Sequence, residues 1–124
     1  MANAINWFEI PAKDINRATT FYGKVLGADL QIMEMMGTQM AFLPGDSAQG
    51  DVSGSLCQGE GYEPSETGAL IYLSGGEDLA DPLSRVEAAG GSVVLPKTKI
   101  TDEIGFMAYF RDTEGNRVAF HSPK

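Results

Sequence analysis

One order of elements occurs twice along the chain, and it limits the available folds more than any other feature. Ala4 to Pro11 is a short apolar, aromatic run closed by proline, which predicts a strand. Asp14 then offers a helix N-cap, and Ile15, Ala18, Tyr22, Val25 and Leu26 recur at helical spacing up to a stop at Gly27. Asp29–Met35, Thr38–Leu43 and Val52–Gln58 read as three strands. Gly59–Thr67 (GEGYEPSET) is polar and turn-rich and reads as a linker. The order then returns. Ala69–Ser74 predicts a strand, and Asp78 and Asp81 are N-cap candidates, with Pro82 tolerable in a first helical turn. Leu79, Leu83 and Val86 form a helical stripe ended by Gly90-Gly91. Ser92–Leu95, Gly105–Arg111 and Arg117–His121 read as strands, the last two joined by a hairpin turn at Asp112–Asn116 in which Gly115 is free to take positive φ. Gly27 and Gly90 lie 63 residues apart, and at that offset Asp14 falls on Glu77 and Ile10 on Leu73. This is the signature of an internal duplication.

The expectation is an α+β fold of two βαβββ modules, about residues 4–58 and 68–122, joined by a linker at about 59–67 within one domain spanning 1–124. A chain of this length hides roughly two-thirds of its unfolded surface, enough for a core. Each module has one helix to cover one sheet face, so the two uncovered faces can turn toward each other and form a cup. Strand alternation then sorts the side chains. Phe8 and Ile10 belong under the helix, and Trp7 and Glu9 in the cup. By the same parity Ile71, Leu73, Val118 and Phe120 face the helix side, and Leu70, Tyr72, Ala119 and His121 face the cup.

Composition removes several functions. With one His and one Cys, a single copy can build no Cys₂His₂ zinc site, no two-histidine iron triad and no internal disulfide. A net charge of −8 with scattered basic residues argues against nucleic acid and against anionic membrane surfaces as partners. MANAINWFEIP lacks the basic start and apolar run of a secretory signal, and no apolar stretch approaches the ~20 residues that span a bilayer. Together with the lone Cys57, this predicts a cytoplasmic protein. No GxSxG, Walker or CxxC motif is present, and Gly75-Gly76 and Gly90-Gly91 lack the context of a dinucleotide site.

Lys13–Ala28 (KDINRATTFYGKVLGA) resembles the "D-x-x-x-A-x-x-F-Y-x-x-V-L-G" helix of the vicinal oxygen chelate superfamily, the group of glyoxalase I, bleomycin-resistance proteins and extradiol dioxygenases. Arg111–Pro123 (RDTEGNRVAFHSP) resembles that group's closing "D-P-x-G-N" turn and strand, and Arg85–Ile100 adds the second helix end. NWFEIP and PKT look most like a glyoxalase-related branch. The resemblance implies paired βαβββ modules in a cup-shaped half-barrel, a homodimer, and a cup that in metal-using members holds a divalent ion. The family's ligand positions fall on Trp7, Leu70 and Ala119, and on a strand, Val52–Gln58, that offers only Ser53, Ser55 and Cys57. All four depart from the pattern.

Two residues beyond ligand positions, on the same strand faces, stand Glu9 and His121. They are candidates, with Tyr72, for acid–base work or for weak metal binding. The plainer alternative is that they bond each other or Tyr72 and serve structure. Trp7, Met33, Met40, Leu70 and Ala119 are expected to line a pocket, although methionines at such positions also serve as plain core. Lys97, Thr98 and Lys99, in an expected rim loop, are candidate contacts for an anion. Phe21-Tyr22 reads as packing, and Cys57 as a buried, inert thiol. Three functions follow. The first is a small-molecule-binding protein with no cofactor. The second is a lyase- or isomerase-type enzyme using Glu9 and His121, with a divalent metal joining if a partner chain donates ligands. The third is an interaction module without a ligand.

Overall fold

The computed structural model describes residues 3–46 and 49–124. Ten elements follow in chain order: β1 (Trp7–Pro11), α1 (Ile15–Leu26), β2 (Ile32–Met35), β3 (Thr38–Phe42), β4 (Ser53–Gln58), β5 (Ile71–Ser74), α2 (Ala80–Leu83), β6 (Ser92–Thr101), β7 (Gly105–Arg111) and β8 (Arg117–Ser122). They form two four-stranded sheets of the same topology, β1-β4-β3-β2 and β5-β8-β7-β6. In each sheet the first strand lies parallel to the last, and the other pairs are antiparallel. The fold is therefore the expected pair of βαβββ modules.

The first helix forms as its sequence dictates. The Asp14 side chain accepts the N–H groups of Asn16 and Arg17 at 3.0 and 3.2 Å, and Gly27 closes the helix in the left-handed region at φ 65°. Ile15, Ala18, Tyr22 and Val25 are buried as expected, and Phe21 joins them.

The second helix is shorter than its apolar stripe predicts. One regular turn, Ala80–Leu83, leads into a run of irregular turns that reaches Gly90. Pro82 has no N–H for the Asp78 carbonyl, which accepts the Asp81 N–H at 3.2 Å instead. Of the stripe, Leu79 and Val86 are fully buried. Asp78, one residue past the position the 63-residue offset selects, accepts the Ala80 N–H at 2.9 Å.

Lys97, Thr98 and Lys99 lie within β6, which runs on through Pro96 and so corrects the strand end at Leu95 and the rim loop expected after it. β6 is the outer strand of its sheet, and its pairing with β7 shifts register between Leu95 and Thr98. An edge strand with an irregularity absorbs a residue that cannot donate.

One core joins the modules. It combines Ile10, Ala41 and Leu56 of the first sheet with Leu73, Phe110 and Phe120 of the second, around Phe21, Tyr22 and Val25 of α1. The turn between β7 and β8 fastens it. Asp112 is buried and accepts the Tyr22 O–H at 2.7 Å, the Glu114 and Asn116 backbone N–H groups at 2.9 Å each, and the Asn116 side-chain amide at 3.0 Å. Glu114 accepts the backbone N–H groups of Lys13 and Asp14 at 2.8 and 2.7 Å and the Arg17 guanidinium at 2.7 and 3.0 Å. The second module thus places a carboxylate at the positive end of the first module's helix. Asn116 donates to the Pro11 carbonyl at 2.7 Å and completes the clasp.

Candidate functional site

Strand register places the residues of the uncovered faces. Cross-strand partners share a face. In the first sheet Trp7 stands opposite Ser53, Glu9 opposite Ser55, Phe42 opposite Ser55 and Met40 opposite both Cys57 and Met33. In the second, Tyr72 and Tyr109 both stand opposite Ala119, and Ser74 and Met107 opposite His121. Trp7, Glu9, Tyr72, Ala119 and His121 therefore lie on the strand faces opposite the core residues Ile10, Leu56, Leu73 and Phe120. Leu70, half-buried, lies one residue before β5.

The hydrogen bonds at these positions differ from both sequence alternatives. Glu9 and His121 do not bond each other, and neither bonds Tyr72. Glu9 Oε1 accepts the Tyr62 O–H at 2.8 Å, so the linker crosses to the first strand. That bond, then burial, holds the Tyr62 phenol up at about 12. His121 Nε2 lies 2.6 Å from the Ile104 carbonyl oxygen. A carbonyl only accepts, so Nε2 carries a proton, and Nδ1 is the ring nitrogen turned away from that bond. The Tyr72 and Tyr109 hydroxyls lie 3.3 Å apart, and this bond, then burial, raises the Tyr72 phenol above its ordinary value.

Trp7 packs edge-on against Phe42 with ring centroids 5.6 Å apart. Met33, Phe42 and Tyr72 stay 40, 39 and 47% exposed, unlike core residues. Cys57 is fully buried beside Ser55, whose hydroxyl lies 3.2 Å from its sulfur. Burial raises the thiol above its ordinary value, the Ser55 bond lowers it, and the Glu9 charge raises it further. Two clefts run along the line where β1 faces β5. One, of about 400 Å³, is lined by Phe8, Val52, Tyr72 and Leu73. The other, of about 200 Å³, is lined by Glu9, Pro11, Ile71, Ser65 and Arg117. His121 borders a third hollow with Tyr72, Ile100 and Ile104, so Glu9 and His121 line separate spaces.

Tyr62, Tyr109 and Arg117 were missed by sequence reasoning. Tyr109 was within reach, because counting back from the Asp112–Asn116 turn sets it opposite Ala119. Tyr62 sits in a linker with no periodicity to place it.

The family's four ligand positions offer an indole, two aliphatic side chains and a hydroxyl–thiol strand. Among the described residues, no three His, Cys, Asp or Glu side chains gather into a group that could hold a metal ion. These donors do not fit a divalent ion, which takes imidazole, carboxylate or thiolate in number.

Comparison with known proteins gives the same outline. A glyoxylase-like domain-containing protein of Didymella fabae is 28% identical over 118 residues, covering 93% of this chain and 90% of that protein. A glyoxalase/bleomycin resistance protein/dioxygenase family enzyme from Burkholderia phytofirmans superposes with a TM-score of 0.68 at 16% identity, over 96% of this chain and 98% of its own. A glyoxalase I variant from Zea mays gives 0.67 at 17% identity over 94% of this chain, which spans only 45% of that enzyme. Among the described residues no helix is long and apolar enough to cross a membrane. The model of the Glyoxalase/Bleomycin resistance protein/Dioxygenase superfamily matches residues 4–120, and the chain belongs to that superfamily.

Proposed function

We propose that this protein binds a small organic molecule on the concave side of its sheets and does so without the metal of glyoxalase I. The observation that carries the reading is a substitution of chemistry at fixed positions. Where metal-using relatives place ligands, this chain places Trp7, Leu70 and Ala119, amid partly exposed Met33, Phe42 and Tyr72. Aromatic and thioether groups left open to water suit the faces of an organic ligand. The functional unit is a homodimer, and the location is cytoplasmic.

A lyase- or isomerase-type enzyme is the second reading, favoured by one feature. Glu9 is exposed and is oriented by the Tyr62 hydroxyl, an arrangement able to present a base. His121, in a separate hollow, would assist through Nδ1 only after rearrangement.

A thermal-shift screen of organic compounds, with elemental analysis of protein purified without chelator, tests both. Binding raises the melting temperature. Near-stoichiometric divalent metal overturns the metal-free reading, and silence from every compound overturns binding. Once turnover of any compound is found, Glu9→Gln separates the two readings: loss of turnover with retained affinity favours the enzyme.

A further inference from the structure

The cleft between the end of β1 and the start of β8 holds an arginine set apart from the others. Of the four arginines in the sequence, Arg17 engages Glu114, Arg111 engages Glu66, and Arg85 donates to the Val25 carbonyl at 3.0 Å. Arg117 has no ion pair among the described residues. Its guanidinium lies 5.5 Å from the centre of the Tyr109 ring, and its Nε is buried with no hydrogen-bond partner. Nε is closed off from the cleft, and the two Nη groups are the part of the guanidinium that a ligand there can reach.

The other polar groups of the cleft are spent. Ser65 Oγ accepts the Thr67 and Gly68 N–H groups at 3.0 Å each. The Asn116 amide is divided between Pro11, Asp112 and Ser65. What remains is charge of both signs. Arg117 shares the lining with Glu63, which has no partner among the described residues, and with Glu9, which uses one oxygen for Tyr62. Ile10, Ile71 and Val118 supply an apolar wall. A planar guanidinium matches a carboxylate. A ligand of purely negative charge would meet two carboxylates here, on a chain of net charge −8.

We propose that this cleft of about 200 Å³ binds a compact zwitterion of the amino-acid type, its carboxylate on Arg117 and its ammonium on the Glu63 and Glu9 side. This narrows the binding reading above and rests on it.

The test uses the full chain in a thermal-shift titration with neutral L-amino acids, the matching amines lacking the carboxylate, and the matching carboxylates lacking the amine. The expected result is a rise of roughly 3–8 °C near saturation with at least one amino acid and little with its two singly charged analogues. Arg117→Gln should abolish the shift, and Arg117→Lys, which keeps charge but loses the fork, should weaken affinity by about tenfold. Exposed Glu63 can become Gln without loss of packing, and Glu63→Gln should weaken the amino acid but not the carboxylate. Arg117→Lys and Glu63→Gln carry the test if Arg117→Gln does not fold. Equal binding of the amine-free carboxylate, or a shift that survives both of those changes, overturns the zwitterion. A response confined to uncharged organics overturns it while leaving the broader binding reading intact. No response to any compound overturns both.

Discussion

The two modules share a topology and divide the work of holding the molecule together. The first has the long, doubly capped helix, and the second has one helical turn but longer strands, ten residues in β6 and seven in β7. The second module's turn at Asp112–Asn116 reaches across to grip the first module's helix through Tyr22, Lys13, Asp14 and Arg17. The sheet faces opposite the core differ as well. The first carries Trp7, Met33, Met40 and Phe42, whereas the second carries Tyr72, Tyr109, Arg117 and His121. Duplication preserved what sheet pairing and core burial require. Side chains that neither process needs were free to diverge.

The sharpest way to break this comparison is to cut the clasp. Asp112→Ala leaves the buried Tyr22 hydroxyl and the turn's N–H groups without their acceptor, and should cost about 3–5 kcal/mol in urea unfolding. Tyr22→Phe removes a single donor and should cost about 1 kcal/mol. Equal effects of the two would show that Asp112 acts on Tyr22 alone.

Glu114→Gln should cost about 1–2 kcal/mol, because an amide cannot replace a carboxylate facing Arg17 and two helix N–H groups. A change at the start of the second module's helix, Asp78→Asn, should leave the urea midpoint nearly unchanged, since Asp78 and its partner Lys97 are both partly exposed and an asparagine can still cap. Comparable losses would dissolve the asymmetry between the modules.

Acid and alkali should attack the clasp from opposite ends. Burial alone would raise the Glu114 carboxyl, but hydrogen bonds from Arg17, Asp14 and Thr113 take it below its ordinary 4.5. Its contribution is therefore present above about that pH and is lost as pH falls through the lower folded-state value. Glu114→Gln should flatten the acid limb of a pH–stability curve. Burial, then the Asp112 charge, drives the Tyr22 phenol well above its ordinary 10.0. The stability linked to its neutral form is full below about that pH and declines as pH rises past it, because the unfolded chain ionises first. Tyr22→Phe should remove that alkaline loss, read as the melting temperature between neutral and strongly basic solution. The smallest effect should come from Pro96→Ala on the edge strand β6, within about 0.5 kcal/mol by the same unfolding measurement.

Much of this was legible from local rules. Helix capping at Asp14 and Gly27, and strand parity at Phe8 and Ile10 against Trp7 and Glu9, depend on neighbours two to four residues away. The second helix stopped short because an apolar stripe at Leu79, Leu83 and Val86 records burial and not hydrogen bonding: past Leu83 the Arg85 and Val86 N–H groups bond three residues back, and the Ser84 hydroxyl takes the Asp81 carbonyl. Lys97–Lys99 were misplaced because a proline ends a central strand but not an irregular edge.

The sequence by itself determined the repeated order of elements and, in the regular strands, which residues share a face, both of which follow from short-range periodicity and motif spacing. Only the tertiary structure decided that Glu9 meets Tyr62, that His121 meets the Ile104 carbonyl and that Glu114 caps a helix 100 residues away. Such pairings depend on how two sheets and a linker are brought together in space, and no local pattern encodes that arrangement.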